Sequence, residues 1–387
     1  MDNSLLITNV LLEGEKKTLL CRDGRFVSLD AAPGAEAARV IDAEGLAILP
    51  AFYNTHTHAA MTLMRGYGDD RPLHEWLEQW VWPYEDSLGA KDIRRGSEIA
   101  IREMISTGTV FFNDMYFFID ETIDLVKASG MRAAIGVTLM DNHPKALRDE
   151  KSALVRAWKD SERLLLTVAP HSVYTASKDT LQEAAKLARE NGRKIHIHIS
   201  ETAKEVKECL AKTGMTPVRY LDSLGLLGPD VIAAHCVHVD KEEWDILAER
   251  GVTVSHCPCS NMKLGSGRFP YELAIASGAR ITLGTDGCSS NNNLDMREEM
   301  KTAALLAKVT GDAALLSASQ VLKWATRNGA EAFGYDAGEI ARGRLADAIL
   351  VDLGNPKMNP CHNLISNWVY AADSSCIKYV ICNGKVL

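Results

Sequence analysis

Little in these 387 residues points to a membrane, a nucleic acid or an oxidising compartment. No segment approaches the roughly 20 consecutive apolar residues that span a bilayer. The start, Met1-Asp2-Asn3-Ser4-Leu5-Leu6, lacks the basic segment and apolar run of a secretory leader. Lys and Arg number 43 against 51 acidic residues, so the net charge of −8 offers no broad basic face for nucleic acid. The nine cysteines are odd in number and scattered, as at Cys236, Cys257 and Cys382, without the tight spacing of a small disulfide scaffold. Low-complexity tracts are absent. A cytoplasmic protein with reduced thiols and a small-molecule partner, rather than a nucleic acid or a membrane, is the expectation.

What is present is an ordinary globular composition, 46% apolar and 24% charged, which suffices to bury a core. The length accommodates a barrel of about 250 residues with a smaller appendage. The first stretch alternates short β-rich runs with turns: Leu5-Leu6-Ile7-Thr8-Asn9-Val10, then Thr18-Leu19-Leu20-Cys21, then Asp23-Gly24 ahead of Arg25-Phe26-Val27. The last stretch repeats this, with runs at 348–353 and 379–382 before the turn-forming Asn383-Gly384. Between them, β-branched runs at 47–53, 109–113, 133–139, 164–169, 194–199, 231–234, 252–255 and 280–283 alternate with amphipathic intervals such as 93–105, 179–189 and 203–211. Eight such units predict an α/β fold: a (β/α)8 TIM barrel over 47–342, with a small β domain formed from both chain ends, 1–46 and 343–387.

In a parallel barrel the carboxyl ends of the strands open on one face, which carries the chemistry. The residues expected to converge there are His56 and His58, Asn113 and Asp114, His171, His198 with Glu201, His235, His256 and Asp286. A single His at a strand end is more often a hydrogen-bonded structural residue, but so many together favour a site. His56-Thr57-His58 puts two imidazoles on the same side of an extended strand. Alone, that pair fits two satisfied structural histidines equally well. With His198 and Asp286 it offers the nitrogen and oxygen donors of a catalytic site for zinc or a similar metal, with a position left for water. A divalent ion there would lower the pKa of its water from 15.7 to about 7, and Glu201 would shuttle a proton. His196-Ile197-His198 is a second such pair, in which His196 reads as the deeper, packed residue.

These residues resemble the amidohydrolase superfamily, in the segment Leu49 to His58, His198 with Glu201, Ala234-His235-Cys236 and Gly284-Thr285-Asp286-Gly287. Ala59-Ala60-Met61, Arg65-Gly66, Pro72-Leu73-His74-Glu75-Trp76-Leu77, Trp82-Pro83-Tyr84-Glu85 and Ser260-Asn261-Met262-Lys263-Leu264 are similar to its 5′-methylthioadenosine/S-adenosylhomocysteine deaminases. The resemblance spans nearly the whole chain. It implies that His56, His58, His198 and Asp286 ligate the metal, that Glu201 carries the proton, and that His235 with Asp286 deprotonates the attacking water. It further implies that Trp76, Glu85 and His171 contact the nucleoside together with His198 and Glu201, Glu85 suiting paired ribose hydroxyls. Without it, Trp76 and Trp82 read as core aromatics and Glu85 as a solvated charge.

Binuclear members of the superfamily carry a bridging lysine at the end of strand four. Here that end reads Thr167-Val168-Ala169-Pro170-His171, so one divalent metal per subunit is expected: zinc, with iron or nickel suiting the same ligands. The other deaminase architecture needs His-x-Glu and Pro-Cys-x-x-Cys, which Cys257-Pro258-Cys259 does not match. An adenine nucleoside (5′-methylthioadenosine, S-adenosylhomocysteine, adenosine or 5′-deoxyadenosine) is the expected substrate. Guanine or chlorotriazine hydrolysis on the same fold, a non-catalytic metal-binding module and a homo-oligomeric assembly all stay open. Members accepting S-adenosylhomocysteine often carry Ser-Arg-Gly-Leu after strand three. Here the matching Gly136-Val137-Thr138-Leu139 lacks the arginine, with Lys145 and Arg148 nearby as substitutes or as plain surface charges.

Overall fold

Runs of apolar and β-branched residues between amphipathic stretches must be covered on both faces, and a closed parallel sheet ringed by helices does this. In the computed structural model, which describes residues 4–32 and 34–387, eight parallel strands lie in sequence order. They are β6 (Phe52–Thr57), β7 (Thr109–Tyr116), β8 (Arg132–Leu139), β9 (Leu164–Pro170), β10 (Ile195–Ile199), β11 (Val231–His235), β12 (Thr253–His256) and β13 (Arg280–Leu283). The start of the amino-terminal stretch, Met1 to Asn3, lies outside the described residues.

The helix Lys178–Glu190 shows how the outer ring forms. Leu181, Ala184, Ala185 and Ala188 recur at helical spacing and are its buried residues, while the Ser177 hydroxyl accepts the Thr180 N–H at its amino end. The barrel closes where the end of β13 meets β6: the Asp286 N–H donates to the His56 carbonyl at 3.0 Å and the Thr55 hydroxyl to the Leu283 carbonyl at 2.9 Å. Gly284 permits this approach, since a Cβ there would fall 2.7 Å from His56 Cβ and 2.9 Å from its amide nitrogen. The glycine therefore joins Asp286 to the His-x-His strand.

Both chain ends meet in one second sheet, built from β1 (Leu5–Leu12), β2 (Glu15–Arg22), β3 (Arg25–Ser28), β4 (Arg39–Asp42), β5 (Leu46–Pro50), β14 (Ala348–Asp352), β15 (Ile377–Cys382) and β16 (Lys385–Val386). Its order is β16-β15-β14-β5-β1-β2-β3, with β4 paired to β1. Asn383 and Gly384, both at positive φ, make the tight turn between β15 and β16.

The run 47–53 divides between two sheets. Ala47 to Pro50, expected in the barrel, pair instead with β14 of the terminal sheet, and the barrel begins at Phe52. Pro50 has no N–H with which to continue the ladder, so the chain turns there. The carboxyl-terminal stretch is not all β either. A helix at Leu364–Tyr370 stacks Trp368 on Phe52, rings 6.1 Å apart, against the barrel. Behind it Asp347 accepts from the Tyr53 hydroxyl at 2.5 Å and from Arg132 Nε at 3.2 Å, a fully buried pair tying the two sheets. No helix among the described residues is long and apolar enough to cross a membrane.

Candidate metal centre and active site

His56 on β6 and His58 just past its end have the same parity, as do His196 and His198 on β10, so all four imidazoles point into the barrel. Asp286 follows β13 at φ 60° and His235 ends β11 at φ 71°, left-handed conformations that cost roughly 1–3 kcal/mol each and aim both side chains at the same point. His58 Nε2 and His56 Nε2 lie 3.2 and 3.3 Å from Asp286 Oδ1, and His198 Nε2 lies 3.3 Å from His58 Nε2. Four ligands held tetrahedrally at about 2.0–2.1 Å stand about 3.3–3.4 Å from one another, so this spacing is that of a zinc-type donor set. His56 Nε2 is buried with no hydrogen-bond partner, which leaves its lone pair for an ion.

Each imidazole is held from behind. His58 Nδ1 donates to the Met115 carbonyl at 2.6 Å and His198 Nδ1 to the His171 carbonyl at 2.8 Å, so Nε2 is the free donor in both. His56 Nδ1 lies 2.7 Å from His196 Nε2. His196 is thus deep in the barrel, as its place on the strand indicates, and also braces His56. Asp286 Oδ2 accepts from Ser260 at 2.6 Å and Ser290 at 2.8 Å, leaving Oδ1 toward the imidazoles. Burial pushes His56 down to about 4. It also works against charge on His58, but Asp286 outweighs it and holds that group at about 9. Burial would raise the Asp286 carboxyl, yet the two imidazoles hold it well below its usual range. The cluster is built to carry positive charge beside a carboxylate, as a shared proton or as a metal cation.

A cavity partly open to solvent has this cluster in its wall. His58, His198, Glu201, His235 and Asp286 lie along it together with Trp76, Glu85 and His171, so the structure brings these expected residues to one place. His56 sits just beneath, fully buried. Glu201 Oε2 is 3.8 Å from His235 Nε2, and burial raises its carboxyl. Glu205 fixes that turn by accepting the Ser200 and Glu201 N–H groups at 2.9 and 2.8 Å. Glu85 is buried, not solvated, and its carboxyl is raised for that reason. Trp76 packs in a core cluster and also forms part of the cavity wall. His171 is pushed down to about 3 by burial, then by His58.

Three strand-end residues do not converge. Asn113 donates to the Thr55 carbonyl, Asp114 accepts the Ala59 N–H, and His256 turns outward against Phe269 and Tyr271. Val137 likewise packs in the outer layer, while Thr138, its neighbour of opposite parity, faces the cavity. Sequence reasoning gave no role to Ser260, Asn261, Ser290 or Glu205. The first two stand in a motif already noted, while nothing periodic marks Ser290.

Four such donors at the carboxyl end of an eight-stranded barrel decide the family, and the amidohydrolase family model matches residues 47–387. The chain belongs to the amidohydrolase family. This family member is 45% identical over 380 residues to a 5′-deoxyadenosine deaminase of Methanosarcina mazei, covering 96% of this chain and 88% of that one. It is 44% identical over 388 residues to 5-methylthioadenosine/S-adenosylhomocysteine deaminase 1 of Archaeoglobus fulgidus, covering 99% and 91%. A crystal structure of an adenosine deaminase from Xanthomonas campestris with bound zinc matches at TM-score 0.93 and 35% identity, covering 99% of this chain and 92% of that one. The amidohydrolase is a hydrolase acting on a C–N bond, and its histidine-rich centre takes a divalent metal ion.

Proposed function

We propose that this amidohydrolase is a hydrolytic deaminase of adenine nucleosides, converting 5′-deoxyadenosine, 5′-methylthioadenosine, adenosine or, more slowly, S-adenosylhomocysteine to the inosine analogue and ammonia. The observation that carries this is one cavity bringing a four-donor metal cluster beside a buried acid, Glu201, and an imidazole, His235. The reactions named for the relatives support the substrate class. One ion per subunit, zinc first, fits the absence of a lysine at the end of β9, where Ala169-Pro170-His171 stand. Nine free cysteines support a cytoplasmic location.

His56, His58, His198 and Asp286 would hold the ion. When bound, it acts as a Lewis acid that lowers the pKa of a water molecule from 15.7 to about 7, supplying a nucleophile at neutral pH. Glu85 is suited to the ribose hydroxyls and Trp76 to the face of the nucleoside. His235 takes a proton from the attacking water while Glu201 delivers one to the ring nitrogen beside the attacked carbon. The C6–O bond forms, the C6–N bond breaks, and the two water protons end on the ring nitrogen and the departing ammonia. Release of ammonia from adenosine, 5′-methylthioadenosine, S-adenosylhomocysteine, 5′-deoxyadenosine, guanine and cytosine, with and without chelator, tests this. Turnover of the adenine nucleosides, lost on chelation and restored by zinc, is expected; no turnover of any of them, or full activity in metal-free protein, overturns it.

A further inference from the structure

We infer that Asn261 is a positioning residue which selects the tautomer of His235, presenting Nε2 to the reaction as a proton acceptor; this rests on the deaminase reading above. Asn261 lies in the helix Pro258–Lys263, just after β12, and is 1% exposed. Its backbone is fixed on both sides, its N–H donating to the Cys257 carbonyl at 3.0 Å and its carbonyl accepting the Ser266 N–H at 2.9 Å. The side chain sits between two imidazoles. Its Oδ1 is 2.8 Å from His235 Nδ1, and its Nδ2 is 3.5 Å from His256 Nδ1.

An amide oxygen only accepts, so the short contact requires hydrogen on His235 Nδ1. A neutral imidazole then keeps its lone pair on Nε2, the atom 3.8 Å from Glu201 Oε2. The opposite tautomer would point an N–H at the water and could take no proton from it. His235 ends β11 at φ 71°, and Asn261 holds its ring from a different strand's loop. Behind the amide, His256 lies against the Phe269 ring at 4.0 Å and meets the Tyr271 hydroxyl at 2.8 Å. Tyr271 is fully buried, so the line Tyr271–His256–Asn261–His235 ends inside the protein. It braces the site and gives a proton no route to solvent.

The amide reversed would donate to His235 and select the other tautomer, so acceptor-only and apolar replacements separate the two. In zinc-loaded enzyme with 5′-deoxyadenosine, Asn261→Ala and Asn261→Leu should lower kcat by about 10²-fold or more, the usual worth of a positioned base. KM should move less than about threefold and zinc content not at all, because only a step after binding is affected. Asn261→Asp keeps an acceptor in place and should retain kcat within about tenfold. In a His235→Ala background, Asn261→Ala should cost nothing further, as expected of a residue that acts through its neighbour. Nitrogen NMR of the zinc-loaded protein, with His235→Gln to assign the signal, should show Nδ1 protonated in wild type and not in Asn261→Ala.

Normal kcat in Asn261→Ala, Asn261→Asp as impaired as Asn261→Ala, additive losses in the double variant, or a protonated Nε2 in the spectrum each overturns the assignment. So does loss of zinc in all three variants, which would make Asn261 a structural support of the centre. If wild type turns over no nucleoside, the proposed function falls instead, and the NMR measurement still decides the tautomer.

Discussion

Exchanging a neutral 5′ group for the homocysteine tail of S-adenosylhomocysteine brings a carboxylate to a cavity lined, among the described residues, by no Lys or Arg. Lys145 and Arg148, two cations of the segment after β8, are engaged elsewhere. Lys145 Nζ donates to the Leu88 carbonyl at 2.8 Å and to the Glu85 carbonyl, while Arg148 pairs with Asp120 at 2.9 Å and with Asp149. Val137, the position at which the resemblance led to an arginine being expected, packs in the outer layer away from the cavity, so the lining and not that substitution is what disfavours an anion. A missing charge-assisted hydrogen bond is worth about 1.5–3 kcal/mol, which sets kcat/KM for S-adenosylhomocysteine about ten- to a hundredfold below 5′-deoxyadenosine. Met140 stands between this cavity and a second one lined by Asp86, Asp141 and Lys212. Met140→Arg should therefore narrow the ratio. Deamination followed by absorbance, with the four nucleosides side by side at equal enzyme, gives the comparison. A clear preference of the wild type for S-adenosylhomocysteine would refute the reasoning and make Lys212→Ala the next variant to assay.

Glu201→Gln should keep the metal and lose about 10²-fold or more in kcat, whereas His198→Ala should lose both; metal analysis beside steady-state rates separates them, and normal turnover in Glu201→Gln would move the proton carrier elsewhere. Glu85→Ala should raise KM for nucleosides by about ten- to a hundredfold with a smaller change in kcat, and an unchanged KM would remove Glu85 from the ribose. Glu299 is fully buried, and burial raises its carboxyl to about 8. The folded chain then holds a proton that the unfolded chain releases from about pH 4.5, so this contribution to stability is full at low pH and is lost as pH rises through 8. Between pH 5.5 and 7.5 the wild type should lose about 2–3 kcal/mol more than Glu299→Gln in urea titrations, and parallel losses would contradict the shift.

Local pattern along the chain is enough to specify the kinds of element and to bring a set of candidate donors to one face. Period-two runs alternating with period-3.6 stretches specify eight βα units, and chain ends rich in turns specify a small sheet, because these patterns are local. That His56, His58, His198 and Asp286 meet on one face was legible, since the carboxyl ends of the strands of a parallel barrel open on the same side, and the structure does cluster these four. Tertiary structure alone decided which way a residue beside a strand end faces. Ser255 hydrogen-bonds to Thr55 inside the barrel, so His256, one residue on, must turn outward, and the same alternation sends Val137 out and Thr138 in. It also decided that Ala47 to Pro50 leave the barrel for the terminal sheet, because their partner strand lies some 300 residues away. The roles of Ser260, Asn261, Ser290 and Glu205 as supports of the centre were not legible either. Ser260 and Asn261 reach partners 26 residues away, while Ser290 and Glu205 hold turns four or five residues from themselves, and no period in the chain records either kind of contact.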